Sequence, residues 1–154
     1  MTSEGPIDLS QFIHQEDAPW IPFPGVEGTA MKFLVADETT NQVVFMFRFA
    51  PNTKYPKHKH LCHAFVYTIS GEWQYDDDHL KAGSIAYEPE ESEHSPSSGP
   101  GAELIVLLRS KDGQFLDNYM EDGSIFRMDM AFYKQFMGMS VEDAKDLKIP
   151  GLTA

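Results

Sequence analysis

Short apolar, β-rich runs recur at close spacing from residue 31 to residue 129, with turn-forming residues between them. Met31 to Ala36 and Gln42 to Ala50 read as the first two strands, split by the turn-like Asp37 to Asn41. Phe65 to Ile69 and Glu72 to Tyr75 follow on either side of Ser70-Gly71. Then come Ser84 to Tyr87, Glu103 to Leu108, Gln114 to Asn118 and Ser124 to Asp129. Many short strands at this spacing predict an all-β sandwich or barrel rather than an α/β sheet. Val43, Phe45, Phe47 and Phe49 share one strand face and are expected in the barrel core, the alternative being the wall of an aromatic or aliphatic substrate pocket, with Arg48 facing solvent or a partner subunit. Tyr67, Trp73 and Tyr75 are also expected in the core.

The two ends differ from this middle. Residues 1–30 form an arm whose Trp20-Ile21-Pro22-Phe23-Pro24-Gly25 has too many prolines for a helix. Met130 to Met139 places Met130, Phe132, Tyr133, Phe136 and Met137 at three- and four-residue intervals, which predicts an amphipathic helix. A second short helix is predicted after Ser140 as N-cap, with Asp143 three residues on and Pro150-Gly151 as its stop. These helices are expected outside the barrel or at a subunit interface. The expected organisation is one domain over 1–154, with a barrel over 31–129 and a helical tail over 130–154.

Charge removes several function classes. Twenty-four acidic residues against 12 basic ones give a net charge of −12, which repels phosphate backbones and anionic membranes. Asp76-Asp77-Asp78 lacks the spaced ligands of a calcium loop and reads as a solvated hairpin turn. The single cysteine, Cys62, excludes an intramolecular disulfide and a four-cysteine zinc site. Met1 to Ser10 has neither the basic start nor the apolar stretch of a signal peptide, and no apolar run is long enough to span a bilayer. A soluble, cytoplasmic protein is expected.

The candidate chemistry lies in the histidines. In Lys57-His58-Lys59-His60, residues two apart on a strand face the same way, so His58 and His60 can reach one ion while the lysines face out. Downstream, Gly83, Pro89 and His94 place a third histidine after a strand and a proline-marked turn. Cys62 is about 13 Å from His58 on an extended strand, too far to share the ion. It is expected as a small buried hydrophobe. His63 has the wrong parity unless a bulge intervenes. Imidazole suits iron, zinc, nickel and copper alike, so ligand type does not name the metal. Glu88 is placed either to orient a histidine or water or as an exposed strand-end carboxylate.

These residues resemble the two motifs of the cupins. The first is glycine, five residues, His-x-His, a glutamate, then a glycine. Asn52 stands for the first glycine, His58 and His60 match, and Gly71 closes it, while the glutamate position holds Ala64 or Phe65. In the second motif Gly83, Pro89 and His94 fall in register, with Glu91 replacing a glycine and Ser98 an asparagine. The resemblance implies an RmlC-like jelly-roll β-barrel with short C-terminal helices. The missing glutamate makes the chain similar to the three-histidine cupin dioxygenases, such as those cleaving acetylacetone and 2,4'-dihydroxyacetophenone. For the latter the Trp20 to Pro24 arm, Met31 to Leu34, Gly71 to Tyr75 and Leu116-Asp117-Asn118 also look similar.

What the resemblance implies is a non-haem Fe(II) dioxygenase, with His58, His60 and His94 holding the metal and Zn, Ni or Mn as alternatives. It would cleave a C–C bond of a small diketone or hydroxyketone with O₂. Three neutral ligands leave the full 2+ charge for an anionic, chelating oxygen donor. A homodimer is implied as well. Two rivals stand beside this reading: a metal-binding sensor module like the cupin domains of zinc-dependent anti-sigma factors, and a non-oxidative isomerase or lyase.

Overall fold

The computed structural model describes residues 10–23 and 25–146. Among these, the first six strands are β1 (Ile21–Pro22), β2 (Thr29–Asp37), β3 (Gln42–Phe49), β4 (Thr53–Lys54), β5 (His58–His60) and β6 (His63–Tyr75). Next come β7 (Asp78–Lys81), β8 (Ile85–Glu88), β9 (Glu93–His94), β10 (Ser97–Ser98), β11 (Ala102–Arg109), β12 (Gln114–Tyr119) and β13 (Ile125–Asp129). Helices α1 (Met130–Phe136) and α2 (Val141–Lys145) follow. The larger sheet runs β1-β2-β3-β11-β6-β10-β4, with β7 and β8 also paired to β6. The smaller runs β13-β12-β5-β9. Among the described residues the protein is an all-β barrel of two sheets followed by two short helices, as the strand pattern predicts.

Burial alternates as an antiparallel barrel requires. On the larger sheet Met31, Phe33, Val43, Phe45, Phe47, Phe49, Val66, Leu104, Val106 and Leu108 point inward and are buried. Leu116, Phe126 and Met128 meet them from the smaller sheet. The core of β3 thus matches the expectation for its apolar face. Arg48, on the opposite face, binds Glu103 at 2.8 Å and lies 3.9 Å over the Trp20 ring. The arm is tied to the sheet through Ile21, which pairs with Met31.

Ser70-Gly71 does not turn the chain. β6 runs through it as one 13-residue strand, and the irregularity lies in the pairing with β11, where the register shifts between Glu103 and Leu104. Gly71 adopts φ 75°, and a Cβ there would lie 2.0 Å from the Gly101 carbonyl oxygen. The glycine serves a β-bulge with a close backbone approach. The bulge also corrects the placement of Tyr67. Tyr67 precedes it and is 45% exposed, whereas Trp73 follows it and is 1% exposed. One extra residue moves same-parity side chains to opposite faces. The turn comes at Asp76-Asp77, where Tyr75 pairs with Asp78 and Asp76 takes φ 46°.

α1 is part of the core rather than an outer layer. Asp129 caps it by accepting from the Phe132 N–H. Its Phe136 stacks on Phe33 with ring centroids 4.7 Å apart, and Tyr133 sits between Phe45 and Phe115. α2 starts at Ser140, whose hydroxyl accepts from the Asp143 N–H. Pro150-Gly151 lies outside the described residues.

The Tyr133 hydroxyl is buried without a hydrogen-bond partner, whereas the Tyr55 hydroxyl donates to Asn118 Oδ1 at 2.9 Å. An unpaired buried hydroxyl costs about 1–3 kcal/mol. Tyr133→Phe is therefore expected to hold or raise stability to urea, and Tyr55→Phe to lower it by about 1–2 kcal/mol through the orphaned Asn118. A clearly destabilised Tyr133→Phe protein would show that this hydroxyl is satisfied.

Candidate metal centre

β5 is too short to place its own side chains, so its neighbours do it. β12 pairs on one side, with Leu116 opposite His60 and Asn118 opposite His58. β9 pairs on the other, with His94 opposite His58. The loop from β8 to β9 is zipped onto β5: Glu91 N–H donates to the His60 carbonyl at 2.9 Å, and His60 N–H donates to the Ser92 carbonyl at 2.8 Å. Two left-handed residues shape these approaches. Asn52 has φ 58° and Glu91 has φ 82°, both where the resembling motifs carry glycine. His58 and His60 are buried, while Lys57 and Lys59 turn outward to Glu93 and Glu91 at 3.8 and 2.8 Å.

The three imidazoles converge, with their candidate ligand atoms all within 4.8 Å of one another. His60 Nε2 and His94 Nε2 are 2.9 Å apart. Two nitrogens each at about 2.0–2.1 Å from one ion, at angles between octahedral and tetrahedral, lie about 2.8–3.4 Å apart. The separation therefore fits ligands of a shared ion. His58 Nδ1 is 3.1 Å from the Pro56 carbonyl oxygen. A carbonyl only accepts, so Nδ1 carries the proton and Nε2 keeps its lone pair for a metal.

Burial, then the neighbouring His60 and His94, push the His58 pKa down to about 3. Burial pushes His94 down to about 4 against the opposing pull of Glu88. Both rings are neutral near neutral pH, as metal ligands must be.

Glu88 and Tyr75 belong to this centre, and sequence reasoning left the first open and put the second in the plain core. Glu88 is buried, with Oε2 3.1 Å from His60 Nε2 and Oε1 3.6 Å from His94 Nε2. Burial by itself would raise its pKa, but His60, His94 and the Tyr75 hydroxyl outweigh burial and hold it below the usual carboxylate value. The Tyr75 hydroxyl donates to Glu88 Oε1, and its ring stacks on His94 with centroids 4.0 Å apart. The sequence signal for Glu88 is its place close before His94; its inward direction follows only from its pairing with Ala64, an inward position on β6. The three imidazoles are donors that suit a divalent first-row ion, and the Glu88 carboxylate lies beside them. His60 Nδ1 is itself buried without a partner.

Cys62 and His63 stand apart. Cys62 is a free, buried thiol whose pKa is pushed by burial up to about 12. His63 is exposed and stacks against Tyr87 on the outer face. The cavity above the histidines is narrow, about 70 Å³, and otherwise apolar, with Phe45, Phe47, Trp73, Val106 and Met128 in its wall.

The unfolded chain binds protons on these imidazoles below pH 6.5, whereas the folded protein keeps them off until about pH 3 for His58 and 4 for His94. Stability of the metal-free protein is thus fully present above pH 6.5 and falls as the solution is acidified. Urea midpoints are expected to be lower at pH 5 than at pH 7, with a smaller gap in His58→Gln. Equal midpoints in the parent protein would remove the buried neutral pair.

Comparison with known proteins agrees with this architecture. Residues 9–114 match the family described as the ChrR cupin-like domain. No curated protein matches. A protein of unknown function with a cupin-like fold from Ralstonia eutropha JMP134 is 24% identical, over 97% of this chain and 99% of that one, with a TM-score of 0.73. An RmlC-like cupin protein from the same organism is 22% identical over 84% and 85%, at 0.72. Acetylacetone dioxygenase from Acinetobacter johnsonii is 12% identical over 91% and 98%, at 0.70. With the matched family covering most of the barrel and the histidine pair and third histidine inside it, the chain belongs to the ChrR cupin-like family of the cupin superfamily.

Proposed function

We propose that this protein is a metal-dependent dioxygenase that cleaves a C–C bond of a small 1,3-diketone or hydroxyketone. The observation that carries the reading is the meeting of three imidazoles and one carboxylate, of which His58, His60 and Glu88 line a small, largely apolar cavity. At about 70 Å³ the cavity is far below the ~300–1,000 Å³ of pockets for drug-sized ligands, so the substrate is small. Its apolar wall asks for a substrate with one polar, chelating end. The fold is shared with an acetylacetone dioxygenase, which supports the reaction class by analogy of fold.

His58, His60 and His94 would hold a divalent ion, which would supply Lewis acidity at a chelating oxygen pair and, as Fe(II), the electrons that O₂ chemistry needs. The side chains do the rest. Glu88 is the base: it takes the proton from the carbon between the two carbonyls, and Tyr75 holds the carboxylate in place by its hydroxyl. Taking that proton neutralises Glu88, which removes a competing carboxylate from beside the substrate anion. Phe45, Phe47 and Trp73 exclude water around it. In balance, a 1,3-diketone and O₂ become a carboxylic acid and a 2-oxoaldehyde, with one C–C bond broken and both oxygen atoms retained.

Oxygen uptake by protein reloaded anaerobically with Fe(II), on a panel of 1,3-diketones and aromatic hydroxyketones, tests the reading. Uptake with an acid product is expected, absent without Fe(II) and in His94→Ala. Tight zinc in the purified protein and no uptake with any panel member would move the assignment to a metal-binding sensor module. Turnover without uptake would move it to an isomerase or lyase. Glu88→Gln is expected to keep its metal content and lose on the order of 10²–10⁴ in kcat, the usual range for a general base. Loss of metal instead would make Glu88 a ligand.

A further inference from the structure

The two sheets are not joined all the way round. In the larger sheet β7 and β8 lie end to end along one edge of β6, and in the smaller sheet β9 pairs with β5. Among the described residues no ladder joins β7 or β8 to β9, so the barrel wall has a seam there. A recess of about 520 Å³ opens along this seam, with Asp78, Leu80 and Ser84 in its wall and Tyr75, Glu88 and His94 at its inner end. Tyr75 and Glu88 also line the inner cavity, together with His58 and His60. Recess and cavity are thus divided by the Tyr75 side chain, whose ring lies on His94 and whose hydroxyl is bound to Glu88. The histidines themselves show which side is open. His58 and His60 are 6% and 3% exposed, whereas the His94 side chain keeps 14% of its surface.

We propose that this seam is the port through which a divalent cation reaches the three histidines, and that Asp76, Asp77 and Asp78 at its rim gather the ion. The proposal rests on the histidines holding a metal and is independent of the oxygen chemistry. Charge is the first argument. The three aspartates are exposed, and among the described residues no lysine or arginine pairs with them. Their neighbour His79 is committed to Glu72 at 2.8 Å. Across the seam Glu90, Glu91 and Glu93 are each paired with a lysine. The uncompensated charge at the rim is therefore negative, and a cleft of one sign raises the local concentration of its counter-ion. Size is the second. A hydrated ion with six waters at about 30 Å³ each needs roughly 180 Å³. The recess admits it whole, and the inner cavity of about 70 Å³ does not, so water is shed at Tyr75 and Glu88. The other approach is plugged. At the end of the barrel Tyr55 is 5% exposed, packs edge-on against Phe23 and Phe47 and donates to Asn118.

Stopped-flow uptake of Co(II) by the full chain, followed by its visible absorption, and release to excess EDTA test the port. Leu80→Trp narrows the recess and is expected to slow uptake and release by the same factor, at least about tenfold, because a port changes the barrier and leaves both end states alone. Ser84→Trp gives a second measurement should Leu80→Trp fold poorly by circular dichroism. Glu121→Trp, at the Tyr55 end of the barrel, is the control and keeps both rates. Asp76→Asn, Asp77→Asn and Asp78→Asn combined are expected to lower the uptake rate about 5–10-fold near 0.01 M salt, with the difference gone near 1 M. Slow exchange in Glu121→Trp, with parent rates in folded Leu80→Trp and Ser84→Trp, would overturn the port. So would a weaker affinity of Leu80→Trp with unchanged uptake, which would make Leu80 a support of the site. Parent uptake in the triple variant at low salt would overturn the gathering role of the aspartates. A parent protein that takes up no Co(II) would overturn the histidine centre and the port together. Exchange as expected without oxygen consumption would support the port and remove the dioxygenase assignment alone.

Discussion

The pairing of β5 with β9 is the constraint on which the site depends. It sets His58 opposite His94, and a slip by one residue would bring Lys59 inward and turn both histidines of β5 to solvent. Strands of three and two residues cannot hold a register by their own ladder. It is held from outside, by β12 on one edge, by the Glu91 and Ser92 bonds to His60, and by Tyr55 on Asn118. The left-handed Asn52 and Glu91 let the chain reach these positions, so backbone shape at two exposed turns decides chemistry in the interior.

Burial gives the same site its electrostatic character. Taking His58 and His94 out of water keeps them neutral and ready to donate lone pairs. The same burial would neutralise Glu88, but the imidazoles and the Tyr75 hydroxyl preserve its charge. Glu88 on β8 lies directly across from Ala64, so a carboxylate stands beside the histidines although the first motif has none at Ala64 or Phe65.

Strand positions and the three histidines were legible in the sequence because both rest on local periodicity. A period of two marks the strands, and His-x-His puts both rings on one face. Asn52 was readable for a similar local reason, its tolerance of left-handed φ. What escaped depends on pairing between distant segments. Gly71 looks the same in a turn and in a bulge, and only the carbonyl of Gly101 lying against it tells them apart. Tyr67 and Trp73 were both expected in the core, and the bulge between them sends only Trp73 inward. Glu88 before Pro89 reads as a strand end until β6 is laid beside it. Helical spacing found α1 but could not say that Phe33 and Phe45 were waiting for it.

The path of the larger sheet orders assembly in time. β3 lies between β2, its hairpin neighbour, and β11, whose Glu103 lies 55 residues beyond Arg48. β6 likewise needs β11 on one edge. During synthesis on a ribosome the first hairpin can close early, yet the sheet has a missing central strand until residues 102–109 have emerged. β12, which braces β5, comes later still. The histidine pair is therefore made before β9 and β12, the strands that hold it in register, and its geometry is complete only when the sheet order closes.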